Sequence, residues 1–251
     1  MLTADRWRYI LEQLDVKGSV LVSDLVESLE VSESTIRRDL SQLESKKLLV
    51  RVHGGAESYF ETASEPKFQD KIIKHTQAKQ QIASYATDLI NDFEAIYIDA
   101  GTTTLAMVPY LKKKKGLKII TNGIQQAHEL GALDFELVIL GGILKSGTQA
   151  VIGTQALQQL SQYHFDKAFV GINGISLNGG LTTPDIQEAV IKQTAIHQSR
   201  QPYILADESK FNKKSFVKVE EIDRVTIITD SLSPEIRKQY QDKVNIKEAS
   251  T

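Results

Sequence analysis

Ser32-Glu33-Ser34-Thr35-Ile36-Arg37-Arg38-Asp39-Leu40 is the stretch on which the fold of this chain turns. Ser32 can close the amino end of a helix, because its hydroxyl accepts from first-turn amides that have no partner within the helix. The spacing predicts that helix over residues 33 to 47, with Ile36, Leu40 and Leu43 at i, i+4 and i+7 as its buried stripe. The opposite face then carries Ser34, Arg38, Ser41 and Ser45, flanked by Thr35 and Arg37. Short hydroxyls and guanidiniums on one helical face suit phosphates and base edges in a DNA major groove.

Working outward, Ile10 and Leu14, with Trp7 beside them, space out one helix, and Leu25, Val26 and Leu29, capped by Ser23, a second. Residues 48–53 alternate into a strand ending at Gly54-Gly55, and Val20-Leu21-Val22 is its expected antiparallel partner. That pattern is a winged helix-turn-helix, in which Arg51, His53 and Gly54 on the wing would meet backbone phosphates. The competing reading is a plain folding or dimerisation module. Residues 1–57 hold 8 Lys and Arg against 10 Asp and Glu, a net charge of −2, whereas residues 34–56 hold 5 against 2, a net +3. A single module with so local a positive charge would bind DNA weakly, so paired copies on a symmetric double-stranded site are expected.

The 251 residues are enough for this small domain and a larger one. With 0 cysteines, disulfides and thiolate metal sites are excluded, and no histidine pair has metal-ligand spacing, so neither a metal nor a cofactor is expected. No apolar run approaches the roughly 18 residues a membrane span needs, and Asp5, Arg6 and Arg8 stand where a signal peptide would be apolar. A cytoplasmic protein without membrane contact is the expectation. Lys112 to Lys115 read as a solvated helix end before Gly116.

Residues 57–66 are polar and irregular, a linker, and residues 67–91 carry Ile72, Ile82, Ala86 and Leu89 at helical spacings. Beyond them, strands at 95–99, 117–121, 135–140, 168–171, 203–206 and 225–229 alternate with helices, including one from Asp185 to about Gln198. That order predicts an α/β domain with a largely parallel sheet, whose ligands bind at the carboxyl ends of the strands. Asp99-Ala100-Gly101-Thr102-Thr103-Thr104 leaves one strand and opens a helix, so its amides and hydroxyls could receive a phosphate. Asn122 follows the next strand and Gly141-Gly142 the third, with Lys145 able to supply charge. Ordinary tight turns would use the same residue types. Thr148 stands where a P-loop would need Lys, and no Gly-x-Gly-x-x-Gly is present, so a small phosphorylated metabolite fits better than ATP or NAD.

Arg6, Ile10, Leu14, Ser32, Thr35-Ile36-Arg37-Arg38-Asp39-Leu40 and His53-Gly54-Gly55-Ala56 resemble the DNA-binding domain of the DeoR family of bacterial sugar-metabolism regulators. Residues 166–175, Gly180-Leu181-Thr182-Thr183-Pro184-Asp185, Glu188-Ala189 and Ala206-Asp207-Glu208-Ser209-Lys210-Phe211 resemble that family's effector domain. The resemblance implies a winged domain over 3–58, a linker and the start of a connecting helix over 59–74, and an α/β sensor over 75–251 with a ribose-5-phosphate isomerase-like fold. It implies a homo-oligomeric (dimeric or tetrameric) transcriptional repressor, released from operator DNA by a phosphorylated sugar. The effector residues carried over are Asp99, Gly101, Thr102, Thr103, Asn122, Gly141, Gly142, Lys145, Asp185, Glu188 and Lys210. Residues 34–38 and 48–56 look most like the family's repressors of fructose-uptake operons, which implies fructose 1-phosphate. Asn173 departs from the pattern, standing where many members carry Asp. The competing class, a sugar-phosphate isomerase with Glu188 as base and Lys210 stabilising an enediolate, would need a carboxylate at that position. No catalytic residue is therefore expected.

Overall fold

The computed structural model describes residues 2–46, 48–58 and 67–249, without the side chains of 15–17 and 58. Most of the expected linker, residues 59–66, and Lys47 at the expected end of the third helix lie outside the described residues.

The amino-terminal module runs α1 (Thr3–Lys17), β1 (Ser19–Leu21), α2 (Val22–Leu29), α3 (Glu33–Ser45), β2 (Leu49–Val52) and β3 (Gly55–Ser58). Ile10, Leu14, Leu25, Leu29, Ile36, Leu40, Leu43 and Leu49 meet in its core. The stripes read from the sequence are therefore the buried ones. Gly18, at φ 75, ends α1 in the left-handed conformation and its amide donates to the Leu14 carbonyl at 2.8 Å. A second tie between helices is polar: Arg6 on α1 meets Asp39 on α3, and Trp7 Nε1 donates to the same carboxylate at 3.1 Å.

Two local expectations are corrected. Val20–Leu21 does not pair with the strand at 49–52, because β3 lies between them in the order β1-β3-β2. The chain reverses at His53-Gly54, and Gly55 then passes so close to β1 that a Cβ there would stand 2.0 Å from the Val20 carbonyl oxygen. The cap position of the second helix is Leu21, two residues earlier than expected, and Ser23 lies inside the helix, bonded to Asp24.

The larger domain continues with α4 (Phe68–Ile72), α5 (Thr76–Asp88), β4 (Ala95–Ile98), α6 (Thr102–Leu105), α7 (Val108–Leu111), β5 (Lys118–Thr121), α8 (Ile124–Leu130), β6 (Glu136–Ile139), β7 (Ile143–Lys145), β8 (Ala150–Ile152), α9 (Thr154–Leu160) and β9 (Phe165–Gly171). It ends with β10 (Gly174–Ser176), β11 (Gly180–Thr183), α10 (Ile186–His197), β12 (Ser199–Leu205), β13 (Val217–Glu220), β14 (Thr226–Thr229), α11 (Pro234–Tyr240) and β15 (Asn245–Glu248). Seven strands form one parallel sheet in the order β15-β14-β12-β9-β4-β5-β6.

Both faces of that sheet are covered, which is why its strands read as continuous apolar runs. Ile96, Ile98, Ile119, Phe169 and Leu205 point to the side of α5, α7 and α8, while Tyr97, Ile120, Val170, Ile204 and Ile227 point to α9, α10 and α11. Each such side chain contributes about 1.5–3 kcal/mol of burial. The segment expected as one helix from 67 to 91 is instead two, α4 and α5, broken at His75, whose φ of 51 is left-handed. Phe68, not Ile72, is its buried anchor in the first part. The helix expected after Asp99 is likewise split into α6 and α7, the second with Pro109 in its first turn. Lys114, read as solvated, donates to the Ile90 carbonyl.

Candidate functional site

The exposed face of α3 carries Ser34, Arg37 and Arg38, with Thr35 and Ser41 half-buried at its margin. Ser32 caps the helix, accepting from the Thr35 amide at 3.3 Å, and its hydroxyl also meets those of Ser34 and Thr35 at 2.9 Å. Arg37 is engaged by Glu33 one turn earlier, at 2.6 Å. Among the described residues no carboxylate pairs with Arg38. The wing is fixed to this helix by two bonds: Arg51 Nη1 donates to Ser41 Oγ at 2.8 Å, and the Arg51 amide donates to Glu44 at 3.0 Å. Ser41, Arg51 and α3 are therefore joined in one surface. His53 and Gly54 form the exposed wing tip, where Gly54 adopts φ 78.

In the larger domain the sheet topology picks out one crevice. From β4 the chain builds outward through β5 and β6, then crosses to β9 on the other side of β4 and builds outward again. The carboxyl ends of β4 and β9 are thus a switch point, where departing loops separate and leave room for a ligand. A cleft of about 260 Å³ lies there. Asp99 leaves β4 into its floor and accepts both the Gly171 amide of β9, at 3.0 Å, and the ammonium of Lys192 from α10. Aspartate and lysine are 1% and 6% exposed, so each needs the other.

The loop above Asp99 is held from behind. Thr104 Oγ1 donates to the Asp99 carbonyl at 2.6 Å, Gln126 Nε2 to the Gly101 carbonyl at 2.8 Å, and Asn122 Oδ1 accepts from the Ala100 amide at 2.9 Å and from Tyr97 Oη at 2.8 Å. Burial first, and then Asp99 and Glu188, push the Tyr97 hydroxyl well above its ordinary pKa, so it stays a neutral donor. Gly101, Thr102 and Thr103 are in this way presented to the cleft by a fixed backbone.

Of the candidates read from the sequence, Asp99, Gly101, Thr102, Thr103, Glu188 and Lys210 line the cleft together, as does Asn173. The others stand behind or beside it. Asn122 is the buried strut just described. Gly141 donates its amide to Gln159 at 2.8 Å, and a Cβ on Gly142 would meet the Ile152 carbonyl oxygen at 2.5 Å, so these two shape the β6–β7 turn. Lys145 is bound by carboxylates of the protein itself, Glu188 at 2.8 Å and Asp185 at 3.2 Å. Asp185 caps α10. Burial is the largest influence on its carboxyl and acts upward, but the Glu188 and Gln187 amides and Lys145 outweigh it and hold it below the usual range.

The cleft also gathers residues that sequence reading missed: Lys71, Lys74, His75, Lys79, Lys192, Asp207 and Lys213. With Lys210 there are six lysines against the carboxylates of Asp99, Glu188 and Asp207, a net excess of three positive charges before His75. Lys79, on α5, is buried, and its ammonium donates to the Lys71 carbonyl. Burial lowers its pKa to about 8, opposed by Asp207 and reinforced by Lys210 and Lys71. Lys192 carried a usable signal, since it follows Glu188 at i+4 and shares its helical face. The lysines of α4 and α5 carried none.

A surface for nucleic acid and a cationic cleft thus occupy one chain, and comparison with known proteins agrees with that pairing. Residues 6–62 match the DeoR-like helix-turn-helix domain and residues 74–231 the DeoR C terminal sensor domain. The uncharacterized HTH-type transcriptional regulator FruR of Bacillus subtilis (strain 168) is 40% identical over 247 residues, covering 98% of each chain. The glycerol-3-phosphate regulon repressor of Escherichia coli (strain K12) is 33% identical over 236 residues, 93% of each chain. The lactose phosphotransferase system repressor of Staphylococcus epidermidis is 34% identical, covering 96% of this chain and 98% of its own. Among solved structures, ribose 5-phosphate isomerase A from Methanocaldococcus jannaschii superposes with a TM-score of 0.41 at 16% identity over 55% of each chain. The relatives at full length are regulators and repressors, not enzymes, and the isomerase reading weighed from the sequence falls with that. This chain belongs to the DeoR family of helix-turn-helix transcriptional regulators.

Proposed function

We propose that the protein represses a sugar uptake or catabolism operon and leaves its operator when a phosphorylated sugar, fructose 1-phosphate in first place, enters the cleft at the β4–β9 switch point. The observation that carries this reading is the excess of lysines around the Gly101–Thr103 loop, which suits a dianionic phosphate. The choice of fructose rests on the likeness of residues 34–38 and 48–56 to repressors of fructose-uptake operons, and the names of the glycerol-3-phosphate regulon repressor and the lactose phosphotransferase system repressor support a phosphorylated polyol or sugar as the class. In this reading residues 3–58 bind double-stranded operator DNA through Ser32, Ser34, Thr35, Arg37, Arg38, Ser41, Arg51, His53 and Gly54, and residues 75–251 sense the effector. It includes a homo-oligomer in the cytoplasm, since one weakly charged module needs a second on a palindromic site. No helix among the described residues is long and apolar enough to cross a membrane. A ligand can release DNA only through its different affinities for the bound and unbound states.

The test is a thermal-shift panel of sugar phosphates against their unphosphorylated sugars, followed by operator binding in fluorescence anisotropy with each stabilising compound. A true effector at 100 times its dissociation constant adds about 2.7 kcal/mol of stability and lowers operator affinity. Stabilisation by free fructose equal to that by fructose 1-phosphate, or stabilisation without any change at the operator, would overturn it.

A further inference from the structure

Part of the cleft lining comes from the very segment that leads from the DNA-reading module into the larger domain. Lys71 and Lys74 of that segment, with His75 between α4 and α5, line the cleft alongside Asp99 and Thr102. His75 is held at φ 51, a left-handed conformation that a histidine adopts at a cost and that persists only where its surroundings enforce it. α4 ends at Ile72, and His75 is the cap residue from which α5 starts. Hydrogen bonds among the described residues tie α4 to residues at or beside the cleft. The Phe68 amide donates to the Gly147 carbonyl at 2.8 Å, and the next residue, Thr148, donates to Glu188 at 2.7 Å. At the other end, the buried ammonium of Lys79 donates to the Lys71 carbonyl.

We infer that α4 and the His75 kink are part of the effector site itself: an anionic group on the ligand binds Lys71 and Lys74, and so clamps the segment that enters from the DNA-binding module. This rests on the reading of the cleft as an anion site. The consequence is a direct route of control. The ligand touches the connecting segment and need not reshape the sheet to be felt at the linker.

The experiment measures binding of inorganic phosphate and of fructose 1-phosphate by calorimetry to the full-length wild type, Lys74→Ala, Lys71→Ala/Lys74→Ala and, as a control that removes one exposed positive charge away from the cleft, Lys113→Ala. Hydrogen exchange of residues 68–76 is followed in wild type with and without each anion. Each lost charge-assisted bond should weaken binding by about tenfold, Lys113→Ala should bind as wild type does, and residues 68–76 should gain protection. Lys74 is exposed, so its single variant stays informative if the double variant does not fold. Wild-type affinity in Lys74→Ala with unchanged exchange over residues 68–76 would sink this inference and leave the cleft an anion site. Failure of both anions to bind wild type would remove the anion site and this inference together.

Discussion

Arg6 Nε donates to Asp39 Oδ2 at 2.6 Å across the interface between α1 and α3, with only 11% and 3% of the two side chains exposed. Hydrogen bonding to Asp39 is the main reason that the Arg6 guanidinium is held above its ordinary pKa. The pair orients the DNA-reading helix, because Asp39 lies on the buried side of α3 one residue from outward-facing Arg38.

Removing one member of a buried pair leaves the other uncompensated, so Asp39→Ala should destabilise the amino-terminal module by about 3–5 kcal/mol. The chain has 1 tryptophan, Trp7, which bonds the same carboxylate. Urea unfolding followed by Trp7 fluorescence should therefore shift to lower midpoint while the far-ultraviolet circular dichroism transition of the larger domain stays in place. Unchanged Trp7 unfolding would show that the pair does not hold the module together.

Arg38 and Arg37 are neighbours in sequence but not in chemistry. Arg37 shares its guanidinium with Glu33, whereas Arg38 has no carboxylate partner among the described residues. Arg38→Ala should cost about 1–3 kcal/mol of operator affinity if it reaches a base edge. Arg37→Ala should cost less and mainly flatten the salt dependence. Anisotropy titrations at two salt concentrations separate these outcomes, and equal losses for both variants would remove Arg38 from a base-reading role.

How much of this was legible depends on whether neighbours in sequence are also neighbours in space. Ser32, Ile36, Leu40 and Leu43 could be read because a helix brings i, i+3 and i+4 together locally. The Asp99–Thr103 loop could be read because strand-to-helix alternation fixes which end of a parallel sheet it occupies. Lys145 could not: its carboxylate partners are 40 and 43 residues away, and nothing in the chain order marks them as nearer than a ligand. The pairing of Val20 with Ala56, and the presence of Lys71, Lys74 and Lys79 in the cleft lining, depend on tertiary geometry in the same way.

Thr102 and Lys145, joint candidates from the sequence, should now separate. Thr102 lines the cleft, so Thr102→Val, which removes one hydroxyl at nearly constant volume, should weaken sugar-phosphate binding with little change in Tm. Lys145 is occupied by Glu188 and Asp185, so Lys145→Ala leaves a buried carboxylate short of a partner and should cost about 1–3 kcal/mol of stability. Calorimetry and thermal unfolding of both variants decide it: an unchanged Tm in Lys145→Ala with lost ligand binding would return Lys145 to the ligand.

Lys79 makes the final prediction one about pH. Its pKa of about 8 in the folded protein, lowered chiefly by burial, is well below the value of about 10.4 for a lysine in an unfolded chain. Below pH 8 both states carry the proton and the folded protein bears the full burden of a buried charge. Between the two values the unfolded chain holds more protons, so this group makes stability rise with pH. Lys79→Met removes the titrating amine, and the Tm of wild type relative to that variant should therefore increase from pH 7 to pH 9.5. A bound phosphate acts in the opposite sense, favouring the charged amine; wild type should take up protons on binding near pH 8 to 9 and lose affinity as pH rises further, while Lys79→Met should show a flatter profile. Parallel Tm curves together with equal pH profiles of binding would mean that Lys79 neither carries that burden nor meets the anion.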